Sequence, residues 1–457
     1  MLCIWSRCSG RKVRAKHRGE PELQDDEIRQ TKLIRPTYSE RFRCIGPDCE
    51  DTCCQGWGVP VDRAAYEKYQ ILPASPLRTL LDASIVLTPS GGDDSKPDIF
   101  ATMRMTGSNR CSLLSTERLC HIQSACGEEF LPHTCATYPR IVHSIGGIEE
   151  KALTLSCPEA ARLVLLDPNL LDRNSRTIRE PFASESAEGS DELRRWFRSI
   201  REIVVDLVGN HDYPLWQRLF LIGVFCRRLE AIAQGTPACP PASYFNEFTA
   251  MVKSGALRTA MDTLPADDAR QLDMVLRVAG MLLHRSNVHA RFADCVQAFT
   301  SGIGNSPTAT LASLIARYTL SHDRYYAPFF ERHPHIFENY LINTIFRCEF
   351  PFGRSGRQAG TAPSPWREFA RLTAKFALTK GLLIGVAGHH GEAFCAEHVV
   401  HTVQAASKHF EHHAEFLDEA HTLLKQRHMD GALGLAMLLR NERGVAARPK
   451  RGRAAGR

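Results

Sequence analysis

Cysteine is the residue type in this chain whose number and spacing most clearly indicate a chemical role. The 457 residues include 16 cysteines, and nine of these fall between positions 44 and 157. The first four stand close together with spacings of four and three residues: Cys44, Cys49, Cys53 and Cys54. Gly46 and Gly56 allow the backbone to bend around them. Thiolates that converge in this way can bind Zn²⁺ or an iron–sulfur cluster.

A second set of cysteines is spread more widely along the chain. Folding must bring these residues to the first group, because they are too far apart to form a local site: Cys111, Cys120, Cys135 and Cys157. Together the eight thiolates suffice for one four-ligand cluster plus a structural zinc ion, for two clusters, or for one site with spare thiols. The C-x3-C-x2-C spacing of radical-SAM enzymes and the C-x2-C pairs of zinc fingers are absent from this stretch.

Composition and charge restrict the class of protein. The chain is 24% charged and 43% hydrophobic, which is typical of globular domains. Its net charge of +6 comes from its ends, since residues 1–20 carry +5 and residues 440–457 carry +6, leaving about −5 for the body. Short basic tails without apolar periodicity are poor evidence for a nucleic-acid groove. No signal peptide or membrane span is predicted, so we expect a soluble cytoplasmic protein whose thiols are reduced.

The sequence divides into five segments by composition. Residues 1–32 form a basic extension and residues 441–457 a basic tail, both expected to be disordered. Residues 33–165 form a loop-rich, cysteine-rich region, and residues 166–190 a polar linker. Residues 191–440 have helical periodicity. The predicted fold is therefore mostly α: a metal-binding, cysteine-rich N-terminal region followed by a helical C-terminal domain.

Helical periodicity is strongest in the second half of the chain. A helix is predicted to start near Ser190, and further long helices are predicted over 215–234, 244–264, 365–386 and 413–440. Sustained strand alternation is limited to 84–88 and a short segment around 153–155. Gly302 and the segment 385–391 are interpreted as helix ends rather than as the glycine-rich turn of a nucleotide-binding fold.

Several separated blocks resemble the bacterial flagellin lysine-N-methylase family. The most specific is R-P-T-Y-S-E-R-F-R-C-I-G-P-D-C-E-D-T-C-C-Q-G-W at residues 35–57. The others are L-C-H-I-Q at 119–123, G-E-E-F-L at 127–131, T-C-A-T-Y-P-R at 134–140, L-S-C-P-E-A-A-R-L at 155–163 and E-N-Y-L-I-N-T-I-F-R-C-E-F-P-F at 338–352. The resemblance covers about residues 33–425.

This resemblance implies an enzyme that transfers a methyl group from S-adenosylmethionine to lysine side chains of flagellin. It also implies a cysteine-bound iron–sulfur cluster, most simply of the 4Fe-4S type, with zinc as the alternative. Cys126 stands where a residue that is not a ligand is expected, and Ser112 follows Cys111 where proline is common. No nucleic-acid or membrane partner is expected, and the oligomeric state stays open.

The catalytic and cofactor-binding residues are not defined by the sequence. A carboxylate or phenol near the acceptor amine would suffice for methyl transfer. The candidates are Asp51, Asp62, Glu128, Tyr138 and Glu338, of which Asp62, Glu128 and Tyr138 are selected as candidate catalytic residues. Two other functions remain open. One is a metal-binding module without catalysis, and the other is a redox protein, each with a helical domain that binds a partner.

Overall fold

The computed structural model describes residues 31–32, 36–88, 99–107, 109–145, 148–171, 177–178, 196–235, 240–284, 288–353, 364–412 and 414–441. The predicted basic extension, linker and basic tail lie largely outside these ranges, as does the predicted helix start at Ser190. Within the described residues the prediction of a mostly α protein is confirmed.

The N-terminal part combines short helices with small antiparallel sheets. Its helices are α1 (Arg63–Gln70), α2 (Pro76–Ser84), α3 (His121–Cys126), α4 (His133–Thr137) and α5 (Pro158–Leu166). The strands are β1 (Thr31–Lys32), β2 (Pro60–Val61), β3 (Ile85–Leu87), β4 (Ala101–Met103), β5 (Arg140–Ile145), β6 (Ile148–Leu153) and β7 (Thr177–Ile178). They pair in the orders β2-β4-β3, β5-β6 and β1-β7.

The remainder of the described chain is helical. Its helices are α6 (Phe197–Val208), α7 (Leu215–Ala233), α8 (Pro241–Ser254), α9 (Arg258–Asp262), α10 (Asp268–Leu283), α11 (Ala290–Gly302), α12 (Leu311–Ser321), α13 (Ala327–Arg332), α14 (His335–Arg347), α15 (Pro365–His390), α16 (Ala396–His412), α17 (Ala414–Gln426) and α18 (Ala432–Leu439).

Helix α15 forms the centre of the larger hydrophobic core. It starts at Pro365, where the Ser364 side chain accepts a hydrogen bond from the Arg367 amide, and nearly all its residues as far as Ala387 are buried. It packs closely against α11, since a Cβ atom added to Gly302 would lie 1.8 Å from the carbonyl oxygen of Gly385. Only glycine permits this approach of two helix backbones.

The β5–β6 hairpin is attached to the helical region by buried polar side chains. Asn343 is fully buried on α14, donates to the Leu153 carbonyl oxygen at 2.8 Å and accepts from the Tyr38 hydroxyl at 2.8 Å. Glu150 forms a buried ion pair with Arg201 on α6 at 2.8 Å. Because these partners satisfy the polar groups, the hairpin can belong to the larger core.

The hairpin was not predicted, and its side-chain pattern explains why. Val142 is about half exposed, whereas the opposing residues His143 and Glu150 face the interior. A buried face made of an imidazole and a carboxylate does not give the apolar alternation by which a strand is normally detected.

Three predictions about helices are wrong in detail. The helix predicted over 413–440 is interrupted, because His428 has a positive φ of 55° between α17 and α18. The helix predicted over 244–264 breaks at Gly255, which has a φ of 71°. The helix predicted over 365–386 continues to His390, with Gly385 inside it, where it makes room for α11. The helix ends predicted at Gly302 and within 385–391 are confirmed, because α11 ends at Gly302 and α15 ends at His390.

Candidate functional site

Four of the predicted thiols meet at a second, smaller core. This core is built from apolar residues of the β2-β4-β3 sheet, of the helices α1 to α3 and of the segment that precedes α3: Val59, Val61, Ala65, Tyr69, Leu81, Ala101, Met103, Leu113 and Ile122. The thiols that belong to it or pack on it are Cys54, Cys111, Cys120 and Cys135. Cys53 joins them from the surface, with its Sγ 3.9 Å from Sγ of Cys54.

Backbone contacts hold these cysteines in place. The amide of Cys111 donates to the carbonyl oxygen of Cys54 at 2.8 Å, and isolated bridges pair Met105 with Cys111 and Leu114 with Cys120. Cys135 lies on α4, whose neighbour in the fold is β2. Three chain segments far apart in sequence therefore bring their thiols to one small core.

The other three predicted thiols lie to the side of this group. Cys157 immediately precedes α5 and belongs to the larger core, while Cys49 is half-buried and Cys44 is exposed. Burial raises the pKa of Cys157 to about 12, and the charge of Cys49 contributes to this shift. All the cysteines that the structure describes are free thiols.

The pKa values of the thiols are shifted in part by the neighbouring thiols. Burial raises the pKa of Cys135, and the charges of Cys53 and Cys120 add to the effect. The hydrogen bond with Cys54 lowers the pKa of Cys53 to about 7, against the effect of burial and with the help of Lys408. Most of these thiols are therefore protonated near neutral pH, and binding a metal would release protons.

The cysteines of this region match, in type and in number, the ligands that an iron–sulfur cluster or a zinc ion requires. Thiolates are the preferred ligands of iron–sulfur clusters and are common ligands of zinc. As the side chains stand, however, no three His, Cys, Asp or Glu side chains among the described residues form a group that could hold a metal ion. The eight-cysteine ligand set stays a prediction.

A buried charged network lies between the cysteine blocks and the helical region. Asp51 Oδ2 accepts hydrogen bonds from Lys408 Nζ at 2.9 Å and from Gln404 Nε2 at 2.7 Å, both on α16. Asp51 Oδ1 lies 3.2 Å from Nε2 of His289, which immediately precedes α11. The side chains of Asp51 and Lys408 are only 4% and 6% exposed, so water competes little for these contacts.

The Asp51 carboxylate is held in its charged form. Burial alone would raise its pKa, but the hydrogen bond with His289 and the charge of Lys408 outweigh that effect and hold the pKa well below the usual range. Lys408 Nζ also donates to the Thr52 carbonyl oxygen at 2.9 Å, next to Cys53. Helix α16 thus positions the first cysteine block directly.

The three catalytic candidates have different surroundings. Asp62 has a structural role, because its carboxylate accepts hydrogen bonds from the Ala65 amide of α1 and from the His133 amide of α4. Glu128 is exposed in a short 3₁₀ helix that follows α3. Neither carboxylate belongs to the Asp51 network.

Tyr138 contacts residues of both the first cysteine block and the second half of the site. Its ring stacks with Trp57 at a centroid distance of 6.5 Å, and the indole of Trp57 donates to the Cys53 carbonyl oxygen at 2.8 Å. Its hydroxyl lies 3.1 Å from Ser156 Oγ, and the Ser156 carbonyl oxygen accepts from Gln404 Nε2. Tyr138 therefore links the two parts of the site.

Lys408, Gln404 and His289 were not predicted as site residues. Gln404 and Lys408 lie 353 and 357 residues after Asp51. His289 is also distant from Asp51 in sequence, and none of the three lies in a recognisable motif. The one available signal was that Gln404 and Lys408 are four residues apart and therefore lie on one face of a predicted helix.

An open cavity of about 790 Å³ lies between α10 and α17. Its lining combines apolar and charged side chains: Leu276, Arg277, Gly280, Met281, His284, Asp418, Glu419, Thr422, Leu423 and Gln426. None of the predicted site residues contributes to it.

Among the described residues, no helix combines the length and apolar character needed to cross a membrane.

Comparison with known proteins relates the chain to protein methylases. A family model described as the FliB lysine N-methylase C-terminal domain matches residues 201–438, which include α16 and the Asp51-binding side chains. A lysine-N-methylase of Salmonella typhimurium is 28% identical over 155 residues, covering 33% of this chain and 37% of the relative. A second lysine-N-methylase, from Salmonella choleraesuis, has the same identity and coverage.

The flagellar biosynthetic protein FliU of Salmonella muenchen is 27% identical over 175 residues, covering 37% of this chain and 94% of FliU. The match to the two lysine-N-methylases thus spans little more than a third of their length. No solved structure matches the chain.

Proposed function

This chain belongs to the FliB lysine N-methylase family, and we propose that it transfers methyl groups from S-adenosylmethionine to lysine side chains of flagellin. The acceptor is suggested by the flagellar name of the relative FliU and by the resemblance of the cysteine blocks to flagellin lysine-N-methylases. We also propose a cytoplasmic location, where reducing conditions keep the thiols free.

The observation that carries the proposal is the contact between two parts of the chain. The helical region that matches the family packs on the cysteine blocks through Lys408 and Gln404, whose side chains bind Asp51. Residues of the family domain and residues of the cysteine blocks therefore line one site. A site shared in this way supports one joint activity rather than two separate modules.

Methyl transfer places defined demands on this site. The acceptor ammonium must first lose a proton to solvent. The nitrogen lone pair of the resulting amine then forms the N–C bond while the C–S bond of the sulfonium breaks and its electron pair stays on sulfur. Asp51 is a poor proton acceptor, because its carboxylate is already paired with the Lys408 ammonium and in contact with His289. Tyr138 is half-buried with its ring against Trp57, and its hydroxyl could accept a hydrogen bond from the acceptor amine and orient it.

The cysteines would hold the metal group of the proposed enzyme. We assign this role first to Cys53, Cys54, Cys111, Cys120 and Cys135, because they share the small core. A 4Fe-4S cluster is the preferred group and zinc the alternative; when bound, the cluster would supply a cross-link between the segments and a redox-active centre. Cys44, Cys49 and Cys157 remain candidate ligands, since they lie at the edge of the same region.

The test is methyl transfer by protein purified without oxygen. Purified chain is incubated with S-adenosylmethionine that carries an isotopically labelled methyl group and with flagellin, and the labelled residues are located by mass spectrometry. Flagellin with chemically acetylated lysines serves as the matched control, because its amines cannot react. Label on the lysines of unmodified flagellin alone supports the proposal.

A protein that keeps its full metal content but leaves flagellin unlabelled would contradict the methyltransferase proposal. That result would favour the alternatives, a non-catalytic metal-binding module or a redox protein. Elemental analysis and the absorption spectrum of the same sample then separate these two, because zinc is colourless whereas an iron–sulfur cluster contains iron and absorbs visible light.

A further inference from the structure

Lys408 is a buried cation that contacts both a side chain and the backbone of the first cysteine block. Its Nζ donates to Asp51 Oδ2 at 2.9 Å and to the Thr52 carbonyl oxygen at 2.9 Å, and lies 3.3 Å from His289 Nε2. Its stem also lies against the block, since Cε would be 3.9 Å from a Cβ atom added to Gly56. One side chain on α16 thus contacts the segment 51–56 at several points.

The partners of Lys408 are themselves fixed from the helical side. Gln404, one turn earlier on α16, donates to Asp51 at 2.7 Å and to the Ser156 carbonyl oxygen at 2.8 Å, and accepts from Arg291 of α11 at 2.8 Å. The amide and the ammonium therefore bind the same carboxylate oxygen from one helix face. The geometry leaves little freedom for Asp51 to move relative to α16.

We propose that Lys408 is a positioning residue for the methyl-transfer site. Its ammonium fixes the segment 51–54 against α16 and so determines where Cys53 and Cys54 stand relative to Trp57 and Tyr138. Only the catalytic part of this inference rests on the proposed function; the effect on the cysteine block follows from the contacts themselves. A buried carboxylate without its cation would be strongly disfavoured, so loss of Lys408 should release Asp51 and the cysteines with it.

A second buried lysine provides a matched control. Lys380 on α15 is also buried in the helical region, and its Nζ donates to the carbonyl oxygens of Leu438 at 3.1 Å and Leu439 at 2.9 Å. It binds the end of α18 and the neighbouring Asn441, and among the described residues none of its hydrogen-bond partners belongs to the cysteine block. Replacing either lysine by methionine removes a buried amine from a side chain of similar size, but only Lys408 contacts the proposed site.

The experiment measures hydrogen exchange in Lys408→Met, Lys408→Arg and Lys380→Met, each as the full chain. In Lys408→Met we expect amide exchange in the segment 49–57 to rise about tenfold or more, because its tertiary anchor is lost. Lys408→Arg should recover most of the protection, since a guanidinium can donate to the same two oxygens. Lys380→Met should accelerate exchange in α18 and leave the segment 49–57 as in the unmodified chain.

Kinetics provide a second measurement where methyl transfer is detected. Lys408→Met should lower kcat by about 10²-fold with a smaller change in KM, because a displaced site mainly affects the alignment of the reacting groups. The inference is overturned if exchange in the segment 49–57 is unchanged in Lys408→Met, or if Lys380→Met accelerates it equally. Gln404→Leu removes the contacts with Asp51, Ser156 and Arg291 without removing a charge, and it replaces Lys408→Met should that variant not fold.

Failure of the proposed function has a different signature. A chain that transfers no methyl group would still reveal by hydrogen exchange whether Lys408 holds the cysteine block in place.

Discussion

The backbone amide of Cys111 donates a 2.8 Å hydrogen bond to the carbonyl oxygen of Cys54. This contact joins two of the cysteine-containing segments through the backbone, without requiring a metal ion. Burial raises the pKa of the Cys111 thiol, so the thiol is protonated until a metal displaces the proton. The core around these cysteines therefore forms a scaffold on which a metal group would assemble.

The thiols of the small core should determine the metal content. Replacing Cys135 by alanine should lower the iron or zinc content by at least about half, because one of the gathered ligands is lost. Cys126→Ala is the matched control, since Cys126 is half-buried in the same region and is not a predicted ligand. Elemental analysis after purification without oxygen measures both variants. Equal metal loss in the two would show that the ligand assignment is wrong.

Tyr138 and Asp62 should respond differently to substitution. Tyr138→Phe keeps the ring against Trp57 but removes the hydroxyl, so methyl transfer should fall by about 10-fold or more with little change in Tm. Asp62→Ala removes a helix cap and should lower the unfolding free energy by about 1 kcal/mol with kcat retained in the folded fraction. Activity and thermal unfolding are measured on the same samples. Full activity in Tyr138→Phe would exclude its catalytic role.

The ion pair between Glu150 and Arg201 should be costly to break. Burial raises the pKa of Glu150 and lowers that of Arg201 against their mutual attraction, so desolvation dominates for both groups. Glu150→Gln leaves an uncompensated buried guanidinium and should lower the unfolding free energy by about 3–5 kcal/mol in denaturant titrations.

The exposed pair between Arg78 and Asp82 is the control for this ion pair. Asp82→Ala should cost no more than about 0.5 kcal/mol, because solvent screens an i,i+4 pair on a helix surface. Comparable losses in Glu150→Gln and Asp82→Ala would mean that the buried ion pair does not hold the β5–β6 hairpin.

Lys380 should make stability depend on alkaline pH. Burial lowers its pKa from 10.5 to about 7, so between these values the unfolded chain binds more protons than the folded chain. Stability should therefore increase as the pH rises from 7 towards 10.5, by at most about 1.4 kcal/mol per pH unit from this group. Denaturant titrations of the unmodified chain and of Lys380→Met give the difference. If the unfolding free energies of the two proteins changed in parallel with pH, the pH dependence could not be attributed to Lys380.

Two glycines in helices should respond in opposite directions to alanine. At Gly302 the new Cβ would lie 1.8 Å from the carbonyl oxygen of Gly385, so α11 and α15 must separate, at a cost of about 2 kcal/mol or more. At Gly280, inside α10, the new Cβ meets no atom within 4 Å. Gly280→Ala should therefore stabilise the chain by about 0.5–1 kcal/mol. Unfolding in denaturant measures both, and a neutral Gly302→Ala would show that the helix contact is looser than described.

Much of the fold could be predicted because its signals are local. The mostly α character follows from apolar periodicity, and the strand Ile85–Leu87 was predicted within one residue at either end. The β5–β6 hairpin could not be predicted, because its buried face is polar and is stabilised by Arg201 and Asn343 from distant helices. His428 and Gly255 adopt positive φ angles that periodicity alone does not indicate.

The sequence by itself determined the chemistry available to this protein. Residue types and spacing identified the cysteines as candidate ligands, and the family blocks indicated methyl transfer. Tertiary structure alone decided that Cys54, Cys111, Cys120 and Cys135 share one core and that Lys408 holds Asp51 beside them. The physical reason is that chain spacing limits only neighbouring side chains, whereas contacts across hundreds of residues depend on how the two cores bury their apolar surfaces and pair their charges.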